Sequence, residues 1–127
     1  MKRLLSHIIV LCAMLCPMVA QAQKAQIKFD QTLHNFEYVA EEGGAVSYEF
    51  AFTNTGDAVL LIYDVTTNCG CTVADYPREP IAPGMSGSVV ITFDPKGNPG
   101  EFAKEIVVKT NAQRKKTKLH IKGVVTP

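Results

Sequence analysis

Apolar and polar residues alternate with period two along most of the chain, in short runs bounded by Gly, Pro, Asn and Asp. No long stretch repeats apolar residues at helical spacing, so the pattern predicts an all-β protein. The clearest strand is Ala45 to Asn54, where Val46, Tyr48, Phe50 and Phe52 face one way and Ala45, Ser47, Glu49, Ala51 and Thr53 the other. Asn54-Thr55-Gly56-Asp57 then turns the chain. Val59 to Val65 is apolar on both faces, with Asp64 its only charge, as in a central strand. Beyond Ile81-Ala82-Pro83-Gly84, the set Val89, Ile91 and Phe93 alternates with Val90, Thr92 and Asp94. Phe102, Ile106 and Val108 alternate with Glu105 and Lys109, and the last strand points Leu119 and Ile121 inward and His120 and Lys122 outward. Short strands near Ile27 to Phe29 and Leu33 to Val39 bring the count to about seven. That is the pattern of an immunoglobulin-like antiparallel β-sandwich, preferred over a small barrel.

The first 22 residues break this pattern. Met1-Lys2-Arg3 is basic, Leu4 to Met18 is apolar, and Ala20-Gln21-Ala22 presents small residues at the spacing a signal peptidase reads. Ser6 and His7 interrupt the apolar run, which leaves it too short for a membrane span. Cleavage after Ala22 is expected, with residues 23–127 forming one exported domain, periplasmic or extracellular, that keeps no membrane span. Its 105 residues suffice for one core and are too few for two domains. Removing Lys2 and Arg3 from the chain's 13 basic residues leaves 11 against 12 acidic, a formal charge of −1. That balance argues against nucleic acid as a partner.

Five segments together resemble a known family: Phe50-Ala51-Phe52-Thr53-Asn54-Thr55-Gly56, Cys69-Gly70-Cys71-Thr72, Ile81-Ala82-Pro83-Gly84, Gly100-Glu101-Phe102 and Thr110-Asn111. In order and spacing they are similar to the uncharacterised bacterial family DUF1573, itself similar to the ASPM, SPD-2 and Hydin (ASH) immunoglobulin-like domains. The resemblance runs from about Phe29 to Val124. One departure is that His34-Asn35-Phe36 is followed by Glu37 where the family commonly has Gly, so a differently built turn is expected there. The resemblance implies a fold and an exported location; it implies no biochemical activity, and a fold alone supplies none.

Of the four cysteines, Cys12 and Cys16 leave with the leader, so the domain keeps Cys69 and Cys71. Free thiols are uncommon in an oxidising compartment. Residues two apart on a flat strand lie roughly 6.6 Å apart, near the upper limit for a disulfide, and Gly70 gives the backbone freedom to close that gap. Three readings stand: a structural end to a strand with small sulfur side chains packed beneath a loop, an exchangeable disulfide, or a Cu(I) site of two soft thiolates. Further soft or borderline ligands are confined to His34, His120 and Met85.

Other constellations are poor in chemistry. Gly84-Met85-Ser86-Gly87-Ser88 lacks nucleophile-elbow spacing. Glu41-Glu42-Gly43-Gly44 reads as a solvated hairpin, Gly97-Asn98-Pro99-Gly100 as a turn, and Arg114-Lys115-Lys116 with Lys118 as a basic hairpin tip. The expected function is therefore that of a non-enzymatic envelope module without cofactor, binding another envelope protein through a strand edge or end loops. The alternatives are a thiol-disulfide protein and a Cu(I)-binding protein, both using Cys69 and Cys71.

Overall fold

A computed structural model describes residues 23–127. The leader, residues 1–22, and its expected cleavage after Ala22 lie outside the described residues. Eight strands follow in order: β1 (Ile27–Phe29), β2 (Leu33–Ala40), β3 (Val46–Asn54), β4 (Ile62–Thr67), β5 (Thr72–Asp75), β6 (Ser86–Phe93), β7 (Gly100–Thr110) and β8 (Lys116–Thr126). They form two four-stranded sheets of order β1-β3-β6-β5 and β2-β8-β7-β4. The two sheets pack as a sandwich, the architecture of an immunoglobulin-like domain.

The alternation sets the registers. In β3, Phe50 and Phe52 are buried while Ser47, Glu49 and Ala51 are exposed. Facing them across the core are Ile106, Val108, Leu119, Ile121 and Val125 of the second sheet, with Val89, Ile91 and Phe93 of β6 beside them. Aromatic stacking joins the layers at one end, where the Phe93 and Phe102 rings lie 4.2 Å apart and 20° from parallel.

The two flanks of the sandwich are built alike, because on each the chain changes sheets between two edge strands. On one flank β1 pairs antiparallel with β3, and after Asp30–Thr32 the chain re-enters as β2, which runs parallel to β8. On the other, β4 pairs with β7, and after Asn68–Cys71 the chain re-enters as β5 beside β6. Three expectations change here. Val59 to Val65 is not a central strand: β4 begins only at Ile62 and lies at a sheet edge, and Leu60 instead forms a lone bridge with Ile81. Leu60 is fully buried, so its apolar character serves the core between the sheets. The Cys69-Gly70-Cys71 segment does not end a strand; it joins two, the second being β5, which adds to the expected count. Glu41-Glu42-Gly43-Gly44 is no hairpin, since it carries the chain from β2 in one sheet to β3 in the other.

β2 carries a register shift between Asn35 and Tyr38. Strict alternation would turn Tyr38 inward after Phe36, but the shift buries Val39 and leaves Tyr38 exposed. Glu37 sits in this bulge at φ 64°, its N–H donating to Asn35 Oδ1 at 2.8 Å. The expectation of a differently built turn gives way to a simpler finding: Glu37 holds a left-handed conformation of the kind glycine supplies.

Candidate functional site: the Cys69-Gly70-Cys71 turn

Most of the motif residues serve the fold. Asn54 is fully buried; its Nδ2 donates to the carbonyls of Ala58 at 2.8 Å and Ile81 at 3.0 Å, while its Oδ1 accepts from Gly56 N and Gln26 N. One amide thus ties the start of β1, the turn after β3 and the segment before β6. A Cβ at Gly56 would stand 2.2 Å from the Lys24 carbonyl, so this close approach requires glycine. Asn111 does the same for the segment before β4, accepting from Leu61 N at 2.8 Å and donating to the Val59 carbonyl at 2.9 Å. These amides stand in for the ladder that Val59 to Leu61 lacks. They and their partners cluster at one end of the sandwich.

The cysteine turn lies at the opposite end. Cys69 and Cys71 are joined as a disulfide with their Cα atoms 5.2 Å apart, shorter than the separation of a flat strand because Gly70 and Cys71 turn. Hydrogen bonds to backbone carbonyls brace this turn alongside the disulfide. Thr72 N donates to the Cys69 carbonyl at 3.2 Å, Asp94 N donates to the Cys71 carbonyl at 2.8 Å, and the Thr67 hydroxyl reaches the carbonyls of Cys69 at 3.3 Å and Thr72 at 3.2 Å. Two contacts touch sulfur: Cys71 N lies 3.3 Å from Cys69 Sγ, and the hydroxyl of buried Thr72 lies 3.7 Å from Cys71 Sγ. Cys71 packs against the core, whereas Gly70 is exposed with nothing within 4 Å of where its Cβ would be.

Closing a loop of only three residues removes little entropy from the unfolded chain, about 1.6 kcal/mol by the loop-closure relation against about 3 kcal/mol for a 15-residue loop. The sandwich therefore depends on its core and on the buried Asn54 amide far more than on this bond. Of the threonines that shape the turn, Thr72 belongs to the Cys69-Gly70-Cys71-Thr72 segment, whereas Thr67 has no signature in the sequence, being ordinary strand composition.

The remaining candidate ligands are not gathered here. His34 is on β2, three strands away in the β2-β8-β7-β4 order, about 14 Å at ordinary strand spacing. Its ring stacks on Tyr48 at 3.7 Å and meets Phe36 edge-on at 4.5 Å; burial lowers its pKa from 6.5. His120 lies on the exposed face of β8, 4.0 Å from Glu105, whose same oxygen receives Lys118 Nζ at 3.2 Å. Met85 precedes β6 while Asp94, the partner of Cys71, follows it, about 30 Å along the strand. Among the described residues no group of three or more His, Cys, Asp or Glu is placed to hold a metal ion.

Two surface features escaped the sequence pattern. A hollow of about 870 Å³ is bordered by Tyr38, Glu101, Ala103, Lys122 and Gly123 on the β2-β8-β7 side. On the other flank Tyr63 of β4 is 63% exposed and Val73 of β5 is 64% exposed. The first lies beside the bulge at Glu37, and the second pairs Tyr63, at the β4 register shift between Ile62 and Asp64, with Val73 just after the cysteine turn.

The sheet order, the edge strands between which the chain changes sheets and the buried inter-sheet core define an immunoglobulin-like sandwich. Residues 27–125 match the family described as "Protein of unknown function (DUF1573)", and the chain belongs to that family. Among solved structures it is similar to a protein of unknown function from Porphyromonas gingivalis W83, with TM-score 0.69 and 21% identity over 87% of this chain and 50% of that one. It is also similar to the ASH/PapD-like domain 7 of human CEP192, with TM-score 0.65 and 13% identity over 86% of this chain and 90% of that one. A third likeness, to the Vibrio cholerae VesB protease, has TM-score 0.65 and 18% identity over 79% of this chain but 32% of the protease. The chain thus spans half or less of the Porphyromonas and Vibrio proteins. At these identities the likeness is one of fold. Comparison with curated proteins gave no match.

Proposed function

We propose that this is an exported, non-catalytic immunoglobulin-like module that binds an extended segment of another envelope protein along its β4–β5 flank. The observation that carries the reading is the pair Tyr63 and Val73, both more than three-fifths exposed on neighbouring edge strands. Edge strands are usually guarded by Lys, Pro, bulges or short length. β1 is three residues long and β2 is bulged; β5 is also short, at four residues, and β4 has a register shift between Ile62 and Asp64, but neither Ile62–Thr67 nor Thr72–Asp75 contains a Lys, Arg or Pro. An edge with unpaired backbone groups and apolar side chains beside it is the surface that strand addition uses. Export is supported by the basic start, apolar run and Ala20-Gln21-Ala22 of the leader.

Photo-crosslinking in the producing cell tests the reading. A crosslinking residue at position 63 or 73 should yield one discrete adduct with another exported protein, and the same residue at Lys122, on the far side of the β2-β8-β7 surface, should yield none. Adducts of equal yield at all three positions, or at Lys122 alone, would sink it. Amino-terminal sequencing of the exported form should begin at Gln23.

A further inference from the structure

We propose that the Cys69–Cys71 disulfide is a thiol-exchange site that takes a low-molecular-weight thiol as a mixed disulfide on Cys69 and releases Cys71. This inference is independent of where a protein partner docks. Exchange needs a thiolate to approach one sulfur in line with the S–S bond while the other departs as a thiolate. The two sulfurs differ in their surroundings, although each has one donor nearby, Cys71 N for Cys69 Sγ and the Thr72 hydroxyl for Cys71 Sγ. Both cysteines are half-buried, but Cys71 packs against the hydrophobic core, while the turn is uncovered at Gly70 and Cys69 does not join the core cluster. The departing side is also prepared: the Thr72 hydroxyl lies 3.7 Å from Cys71 Sγ, close enough to donate to it as negative charge develops there.

The step balances without a further reagent. The incoming thiolate forms a bond to Cys69 Sγ, the Cys69–Cys71 bond breaks, and its electron pair leaves on Cys71 Sγ, which takes a proton from water. A second thiol then displaces Cys69 as thiolate; two thiols have become a disulfide and the protein has gained two electrons and two protons. The fold is built to survive this. The Thr72, Asp94 and Thr67 hydrogen bonds end on backbone carbonyls, so they persist when the sulfurs part. Opening the ring frees only the Cys71 N contact to Cys69 Sγ.

The test uses the whole purified protein in buffers of graded reduced to oxidised glutathione, acid-quenched and read by intact mass and peptide mapping, with far-UV circular dichroism on the same samples. The expected result is a two-electron transition in which a glutathione adduct is trapped on Cys69 while the β spectrum is unchanged. Thr72→Val, which keeps the size and removes the hydroxyl, should slow ring opening about threefold to tenfold, the effect of one hydrogen bond. Reduction that occurs only where the spectrum is lost would overturn the proposal. So would an adduct on Cys71, an unaltered rate in Thr72→Val, or a dithiol that oxidised glutathione fails to close. Should Thr72→Val not fold, the position of the trapped adduct in the wild-type protein still decides.

Discussion

Glu37 is the one non-glycine residue with positive φ among those described, at 64°. A left-handed conformation costs an L-residue roughly 1–2 kcal/mol relative to glycine, and glycine's extra freedom in the unfolded chain returns roughly 0.5–1 kcal/mol of that. Glu37→Gly should therefore stabilise the domain by about 0.5–1 kcal/mol, read as a higher midpoint in urea at unchanged slope. The Asn35 contact is to the backbone N–H and is kept. A lower midpoint would mean that the Glu37 side chain contributes more than its backbone costs. His34 supplies a second test. Burial against Tyr48 and Phe36 lowers its folded pKa below 6.5, so the unfolded chain binds its proton first as pH falls. Its contribution is complete above pH 6.5 and is lost as pH drops from there through the lowered folded value. His34→Gln should flatten the dependence of melting temperature on pH just below 6.5, and an unaltered slope would remove His34 from the account.

β3 illustrates what an element reveals in advance. Its alternation is unbroken over Val46–Asn54, and the faces the sequence predicts are those the structure buries and exposes. Phe50→Ala should cost about 3–5 kcal/mol through the cavity it leaves, whereas Glu49→Ala on the exposed face should stay within about 0.5 kcal/mol. Equal losses in denaturant melts would mean a register slipped by one residue. β6, β7 and β8 were legible for the same reason, each pairing an inner apolar row with an outer polar one. The failures are equally physical. β5 has four residues, too few for a period to stand out from the turn beside it. The segment from Val59 reads as a strand because Leu60 is apolar, yet Ile81 and the Asn111 amide replace most of its ladder, and such long-range hydrogen bonds leave no periodic trace. The bulge at Glu37 defeats alternation by design, since one extra residue exchanges the faces beyond it.

Across the whole molecule, the cysteine pair closes a ring of only three residues beside hydrogen bonds that tie the same turn to backbone carbonyls. The two residues were visible in the sequence as the domain's main chemistry; their position at a change of sheets was not, because that depends on β5 and on hydrogen bonds from Asp94, 23 residues further on. Among the described residues every regular element is a strand. No helix amino terminus is therefore at hand to lower the pKa of either thiol, as catalytic disulfide exchangers arrange. Exchange at Cys69 is thus expected to be stoichiometric and slow compared with that of an oxidoreductase. Replacing both cysteines, Cys69→Ser with Cys71→Ser, should lower stability by about 1.6 kcal/mol, the loop-closure contribution of a three-residue ring. For a domain of this size that corresponds to a fall in melting temperature on the order of 10 °C or less. Insulin reduction and disulfide isomerisation should show no multiple turnover in the parent protein and none in the variant. Cysteine-dependent turnover would make the chain an enzyme and end the non-catalytic reading. A loss of several kcal/mol would instead show that the disulfide, and not the backbone ties at Thr67, Thr72 and Asp94, holds the two sheets in register on this flank.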